Sequence, residues 1–272
     1  RIDKHIDAAR QIGRLIWQGD APEKGCFCSP AMIQLDGIAD LESEIFGPVL
    51  HIATYKAGEE SKVVQAVNAS GFGLTFGMHS RIDSNIDMVC GAINVGNVYI
   101  NRNQIGAIVG SQPFGGNGLS GTGPKAGGQL YLGAFLQNQG GADQTVPEIK
   151  SSQVMPSPSG ERNTYMIAPR GHVLVLHADA NRRKTLAKLA MDAGNTVMEQ
   201  SDIPEHFHGI DAVMTALDGS IDIGDLRQSM HQSGKAIIPL ITDAGGYGWL
   251  FHEKHICQDM TASGGNIDLL MQ

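Results

Sequence analysis

Hydrophobic positions in the first third of the chain alternate between helical and extended spacing. Ile2, Ile6 and Ala9 share one face of a predicted helix over 1–10. Further helices are predicted over 59–69 and from Asp83, and short apolar runs predict strands over 12–18, 26–35, 49–55, 71–77 and 97–101. Strands that alternate with helices indicate a wound, parallel α/β sheet.

The same alternation resumes in the last part of the chain. Strands are predicted over 172–177, 196–199, 211–217 and 236–242, with helices over 182–193 and 222–232. This rhythm predicts a second, Rossmann-like α/β lobe. No glycine-rich loop follows its first strand, where residues 177–182 stand instead, so we do not expect this lobe to bind a dinucleotide. The predicted organisation is a first domain over 1–138, a polar linker over 139–158 and the second lobe over 159–272.

Within the first domain lies a segment, residues 101–131, that is crowded with glycine and carries only Arg102 and Lys125 as charged residues. Glycine disfavours a helix there by about 1 kcal/mol per site. Glycine does allow backbone N–H groups to approach a ligand closely, so the segment is interpreted as a ligand loop at the carboxyl end of a strand. Residues 129–138 after it are expected to form an extended arm that could pair with another copy in a homo-oligomer.

Residues 116–121 match the dinucleotide pattern G-x-G-x-x-G literally. The pattern requires a strand directly before it and a helix opening inside it. Pro113 precedes it, and Gly123 and Pro124 follow, which prevents that helix. We therefore interpret the match as a coincidence of glycine-rich composition.

Composition narrows the function classes. The 272 residues carry a net charge of −8, without a run of lysine and arginine, so this segment is not expected to contact nucleic acid. No apolar run approaches the ~20 residues of a membrane span. Four scattered cysteines predict a reducing cytoplasm. The chain begins at Arg1, with a helix already under way, and is expected to be a fragment of a longer polypeptide.

Several small clusters of potential ligands are interpreted as ordinary structure. Cys26 and Cys28 lack a second ligand pair at metal spacing, and the histidine pairs 206/208 and 252/255 lack cysteine or carboxylate partners. We expect ordinary thiols, surface or capping histidines, and no metal site.

Two motifs become specific when they are taken together. They are Glu44-Ile-Phe46-Gly-Pro48 and Gln112-Pro-Phe114-Gly-Gly116, the latter followed by Ser120-Gly121. Over residues 1–135 the chain resembles the C-terminal half of an aldehyde dehydrogenase catalytic domain. The sequence of residues 99–110 and 120–128 resembles that of the glutamate semialdehyde (1-pyrroline-5-carboxylate) dehydrogenase module in the bifunctional bacterial flavoenzymes of proline utilisation. Residues 261–270 are similar to the terminal motif of the longer members.

The resemblance implies a role for five residues. Glu44 matches the carboxylate that holds the nicotinamide ribose of NAD, and Phe46 the ring beside the nicotinamide. Gly106 and Ala107 match the loop whose amides anchor the substrate carboxylate, and Phe114 the aromatic that packs on its aliphatic part. The substrate implied is glutamate semialdehyde, and the enzyme implied is cytoplasmic or peripheral to the membrane.

Enzymes of that family also contain a cysteine thiolate, a glutamate base, an NAD-binding domain and an FAD-dependent proline dehydrogenase domain. None of these four parts matches a segment of this sequence. We therefore expect no catalytic residue in this chain, no cofactor bound to it alone, and no activity from it alone. The second lobe is implied to be a non-catalytic cover for the intermediate. Two alternatives stay open, namely another aldehyde dehydrogenase branch with an accessory domain, and a stand-alone binding or scaffold protein.

Overall fold

The structure is a computed structural model that describes residues 1–41, 43–135, 152–233, 236–243 and 245–261. Its contacts divide the chain into two compact units. The first unit consists of Arg1–Ser70 with Gly91–Ile93, and the second of Gly71–Cys90 with the chain from Asn94 onward.

In the first unit a helix packs on a small sheet. Its described residues form α1 (Ile2–Gln11), β1 (Leu15–Gln18), β2 (Ala31–Gln34), a 3-10 helix (Ile38–Asp40), β3 (Val49–Ile52) and α2 (Glu60–Ala69). The central strand β2 runs antiparallel to β1 and parallel to β3. Ile6 and Ala9 of α1 are buried, as are Ala31 and Ile33 of β2, and α1 contacts both β1 and β2. The apolar face predicted for the first helix is therefore the face that covers the sheet.

The second unit contains two larger sheets. Its elements are β4 (Phe72–Gly73), β5 (Thr75–Met78), α3 (Asp83–Ala92, whose last residues group with the first unit), β6 (Asn97–Ile100), β7 (Asn117–Gly118), a 3-10 helix (Leu132–Phe135), β8 (Ser152–Met155), β9 (Glu161–Pro169), β10 (His172–Leu176), α4 (Ala180–Asp192), β11 (Thr196–Gln200), β12 (Ala212–Thr215), α5 (Ile223–Gln232), β13 (Leu240–Thr242), a 3-10 helix (Tyr247–Leu250) and β14 (Phe251–Asp259).

Four parallel strands in the order β11-β10-β12-β13 form one sheet. Val173 and Val175 belong to one buried cluster with Leu186 of α4, whereas Leu174 belongs to a second cluster with Leu226 of α5. Both faces of β10 are buried, as expected for a central strand between two layers of helices. The Rossmann-like rhythm predicted for this part of the chain is confirmed.

The second sheet joins distant parts of the sequence, in the order β5-β6-β14-β9-β8. The strands β5, β6 and β14 run parallel, and β9 and β8 continue the sheet antiparallel. Because β14 pairs with β6, this sheet joins residues from both sides of the linker predicted at 139–158. The two compact units divide near Ser70. Within the predicted linker, Ser152–Met155 is a strand, and residues 139–151 lie outside the described residues. The division into the three predicted segments stays a prediction.

One expectation about local structure is wrong over the part that can be compared. Residues 129–135 form a turn and a 3-10 helix instead of an extended arm, and 136–138 lie outside the described residues. The hydrogen bond from the Gln129 amide to the Tyr165 hydroxyl, at 3.1 Å, fixes the start of this segment against β9. Within the described ranges, no helix has the length and apolarity that crossing a membrane requires.

Candidate functional site

The glycine-rich segment leaves the carboxyl end of β6, as predicted. Asn101, the first residue after the strand, has a positive φ of 58°, and its side chain bonds both the N–H and the C=O of Ser80, at 2.9 and 3.0 Å. These bonds tie the exit of β6 to the exit of the parallel strand β5. The segment therefore starts at the edge of the sheet where ligands bind in α/β proteins.

A loop over residues 103–112 follows, exposed over most of its length and buried at Gln112, and it contains two of the predicted site residues. Gly106 has a φ of +76°, and Ala107 is half-buried beside it. Gln112 closes the loop through two hydrogen bonds to Ile108. Its side-chain Oε1 accepts from the Ile108 N–H at 3.2 Å, and its backbone N–H donates to the Ile108 carbonyl at 2.9 Å. Among the described residues, neither the Gly106 nor the Ala107 N–H has an acceptor within hydrogen-bond distance. Two adjacent free amides are suited to bind an anion.

Phe114 lies where the two arms of the glycine-rich segment meet. Its N–H and C=O exchange hydrogen bonds with Ala126, at 3.1 and 2.9 Å, and its side chain is half-buried. Between the arms, Asn117–Gly118 forms a two-residue strand that pairs with Phe72–Gly73. Turns follow, and no helix opens over 116–128, which is described throughout. The structure thus agrees with the rejection of the dinucleotide motif.

Glu253 and His255 are buried polar residues of β14. Sequence analysis missed Glu253, and its expectation of a surface or capping histidine is wrong for His255, which is 0% exposed within the strand. Glu253 accepts from the backbone N–H of Lys125 at 2.7 Å and bonds the Tyr165 hydroxyl through its other oxygen. The Lys125 ammonium, 2% exposed, bonds the Asn97 side chain at 2.8 Å and the Gly115 carbonyl. Burial lowers the pKa of Lys125 to about 7, although the negative charge of Glu253 acts to raise it. Burial also raises the pKa of Tyr165.

A second cluster lies under the 103–112 loop. Arg102 forms an ion pair with Glu161, and Gln112 donates to the other oxygen of Glu161 at 2.9 Å. The thiol of Cys257 lies 2.9 Å from the Arg102 guanidinium and 3.4 Å from the Gln112 amide nitrogen. Burial raises the pKa of Cys257 to about 12, so this cysteine is a neutral thiol.

Glu44 and Phe46 belong to the first unit, in the connection that leads into β3. Both are exposed, Phe46 to 82%. Phe46 lines a cavity of about 480 Å³ together with Ile45, the Cys26–Cys28 stretch and residues 1–3. Cys28 donates to Asp3 at 3.4 Å, and burial and this hydrogen bond raise its pKa. The aromatic ring of Phe46 is therefore available to a planar ligand, and the two sets of predicted site residues lie in different units.

At the first helix of the Rossmann-like sheet, a carboxylate stands where a phosphate would bind. The side chain of Asp179 accepts from the N–H groups of Asn181 and Arg182, at 3.0 and 2.8 Å. A negatively charged cap on the free amides of a helix N-terminus repels a second anion. This supports the expectation that the sheet binds no dinucleotide, which stays a prediction. The described residues contain no group of three or more histidine, cysteine or acidic side chains placed to hold a metal ion.

Comparison with known proteins identifies the class. Residues 1–139 match the profile of the aldehyde dehydrogenase family, so the chain belongs to that family. Among curated proteins, it is 34% identical to the bifunctional protein PutA of Escherichia coli over 87% of this chain and 22% of that protein. It is 40% identical to the PutA of Rhizobium meliloti, over 72% and 19%. A 1-pyrroline-5-carboxylate dehydrogenase of Geobacillus thermodenitrificans is 39% identical, over 50% and 27%.

The chain spans about a fifth of the length of the PutA proteins that it matches. Among solved structures, proline utilization A from Corynebacterium freiburgense superposes with a TM-score of 0.66 over 89% of this chain and 29% of that one, at 21% identity. That likeness shows the fold alone.

Proposed function

We propose that this chain supplies part of the substrate and cofactor sites of an NAD-dependent L-glutamate γ-semialdehyde (1-pyrroline-5-carboxylate) dehydrogenase. The enzyme would be a longer, bifunctional protein that also carries an FAD-dependent proline dehydrogenase domain and converts proline to glutamate. The names of the relatives and the short share of their length that this chain covers support this proposal.

The observation that carries the proposal is the pair of free amides at Gly106 and Ala107. The semialdehyde bears an α-carboxylate, and two backbone N–H groups can bind its two oxygens without a competing side chain. Phe114, half-buried along the same segment, would pack on the methylene groups of the substrate. An aldehyde without a carboxylate would lose the first of these interactions.

Glu44 and Phe46 are proposed to contact NAD, which would accept the hydride from the aldehyde carbon. A carboxylate can accept hydrogen bonds from both hydroxyls of a ribose, and an exposed aromatic ring can pack against the nicotinamide. The exposure of both side chains supports these roles. The nucleophile and the base of the reaction would come from other parts of the enzyme.

The proposal also covers the domain organisation, the cellular location and the oligomeric state of the enzyme. Residues 159–272 would form a non-catalytic accessory domain after a linker over 139–158, and would help to cover the reactive intermediate. The four cysteines are all free thiols, which is consistent with a cytoplasmic enzyme. Peripheral association of the whole enzyme with a membrane, and a homo-oligomeric state, are proposed on the resemblance alone.

The test compares two glycines of the same loop in the full-length enzyme. Gly106 and Gly110 both have a positive φ, of 76° and 86°, and both face open space. Alanine strains the backbone at either position by roughly 1–2 kcal/mol. Gly106→Ala should reorient the anchoring amides and raise KM for glutamate semialdehyde about tenfold, equivalent to about 1.4 kcal/mol. Gly110→Ala should change KM less than about twofold.

Steady-state NADH formation measures both variants, with thermal unfolding as the check on folding. Equal effects of the two substitutions on KM would contradict the assignment of the anchor. A wild-type enzyme that oxidises straight-chain aldehydes as well as glutamate semialdehyde would instead favour another branch of the family.

A further inference from the structure

We propose that Glu161 is a positioning residue for substrate binding, because it holds both ends of the loop that presents the Gly106 and Ala107 amides. This inference rests on the function proposed above. It assigns a role in substrate selection to β9, a strand that lies beyond the part of the chain matching the family profile.

Each oxygen of Glu161 holds a different end of the loop. Oε2 forms the ion pair with Arg102, directly before residue 103. Oε1 accepts from the side-chain amide of Gln112 at 2.9 Å, at the other end. One carboxylate therefore sets the separation between Arg102 and Gln112, which lie at the two ends of the loop.

Gln112 passes this constraint to the centre of the loop. Its side chain is 3% exposed, and its two ends have different partners. The Nε2 group donates to Glu161, while Oε1 accepts from the Ile108 N–H at 3.2 Å, one residue after Ala107. The orientation of the Gln112 amide is thus fixed by Glu161, because only Nε2 can donate to a carboxylate. A continuous path of hydrogen bonds leads from Glu161 to the residue beside the anchor.

The surroundings favour a charged residue at this position. The Arg102 and Glu161 side chains are 19% and 14% exposed, so their attraction is screened less than that of a surface pair. Arg102 also lies 5.6 Å from the centroid of the buried Tyr99 ring, which limits where its guanidinium can move. A neutral side chain at 161 would leave the arginine without its carboxylate and would loosen the start of the loop.

The experiment uses the full-length enzyme and two aldehydes of similar chain length. Glutamate semialdehyde carries the α-carboxylate, whereas pentanal does not. Glu161→Gln is nearly isosteric but removes the charge and one of the two acceptor oxygens, and Glu161→Asp keeps both on a shorter stem. The matched control is Glu199→Gln, which neutralises a glutamate of the same unit in a looser pair with Arg183, at 3.5 Å.

We expect Glu161→Gln to raise KM for glutamate semialdehyde about tenfold. Its kcat, and both constants for pentanal, should change less than about twofold. Glu161→Asp should recover part of the loss, and Glu199→Gln should leave both substrates unaffected. A loss shared by both aldehydes, or no loss in a correctly folded Glu161→Gln enzyme, would overturn the proposal.

Amide hydrogen exchange gives a readout that does not depend on turnover. The Ile108 N–H should exchange faster in Glu161→Gln than in wild type, whereas the pattern should be unchanged in Glu199→Gln. Unchanged exchange at Ile108 would also overturn the role of Glu161. If the wild-type enzyme itself does not distinguish the two aldehydes, the proposed function fails and the role of Glu161 in selecting the substrate falls with it. Faster exchange at Ile108 without a change in KM would contradict the positioning role alone.

Discussion

At the scale of single residues, Lys125 has the most unusual environment among the described cations. Its ammonium is enclosed by the Asn97 side chain and the Gly115 carbonyl, and burial lowers its pKa from 10.5 to about 7. In the unfolded chain the same lysine stays protonated up to about pH 10. Between these two pKa values the unfolded state binds more protons, so the folded state gains stability as the pH rises.

We therefore predict that Lys125→Met removes a pH-dependent part of the stability. The difference in the free energy of unfolding between wild type and variant should shift in favour of wild type by about 1 kcal/mol per pH unit from pH 7 to 9. Urea unfolding of the chain at several pH values measures it. Lys188→Met, which removes an exposed lysine paired with Asp192, is the control and should show no such trend. A pH-independent difference for Lys125→Met would show that the lysine does not titrate in this range.

Whether a residue could be singled out from the sequence as a candidate depended on whether its signal is local. Gly106, Ala107 and Phe114 stand in a contiguous motif, and the structure places them in one segment of unusual backbone geometry. Glu161 and Glu253 stand alone in sequence, and their partners Gln112 and Lys125 are 49 and 128 positions away. No spacing rule connects such pairs, because the contact exists only after β9 and β14 have joined the sheet.

At the scale of elements, β6 packs so closely against the glycine-rich segment that no side chain fits at its start. A Cβ built on Gly96 would lie 1.8 Å from the Gly115 carbonyl oxygen and 2.7 Å from the Lys125 ammonium. Both neighbours are held by the same hydrogen bond, so neither can withdraw without breaking it. The close approach therefore explains a glycine at this position on steric grounds.

Gly96→Ala is accordingly predicted to destabilise the fold by about 3 kcal/mol or more, because backbone atoms would have to move apart. Gly91→Ala is the matched control. That glycine lies within α3 with nothing within 4 Å of the added carbon, and alanine should stabilise the helix by up to about 1 kcal/mol. Thermal unfolding of the two variants should give shifts of opposite sign, and a mild effect at Gly96 would refute the tight packing.

The helices and most of the parallel strands were predicted, whereas β8, β9 and β14 were not, nor was the arrangement of the elements. Periodicity located α2 to within a residue and identified the parallel rhythm from β10 to β13. It could not indicate that β14 pairs with β6 across more than 150 positions, because the apolar and polar alternation of a strand does not specify its neighbour. The turn at 129–135 was missed for a related reason, since its start is fixed by Tyr165 of β9.

At the scale of the whole molecule, the polar contacts of β9 and β14 connect the two parts that sequence alone separates. The proposed substrate loop rests on Glu161, and the segment behind it rests on Glu253. Both carboxylates belong to strands that lie outside the residues matching the family profile. The chain beyond residue 139 thus helps to build the candidate site, in addition to any role as a cover.

The chain alone is predicted to form no NADH from glutamate semialdehyde, although the full-length enzyme should do so under the same conditions. Attack on an aldehyde requires a thiolate. Burial raises the pKa of Cys90 to about 11 and that of Cys257 to about 12, and burial and the Asp3 hydrogen bond raise that of Cys28. Absorbance of NADH at saturating NAD measures the rate. Any aldehyde-dependent rate from the chain alone would contradict the prediction, and its loss in Cys26→Ser would place the nucleophile at the one remaining, exposed thiol.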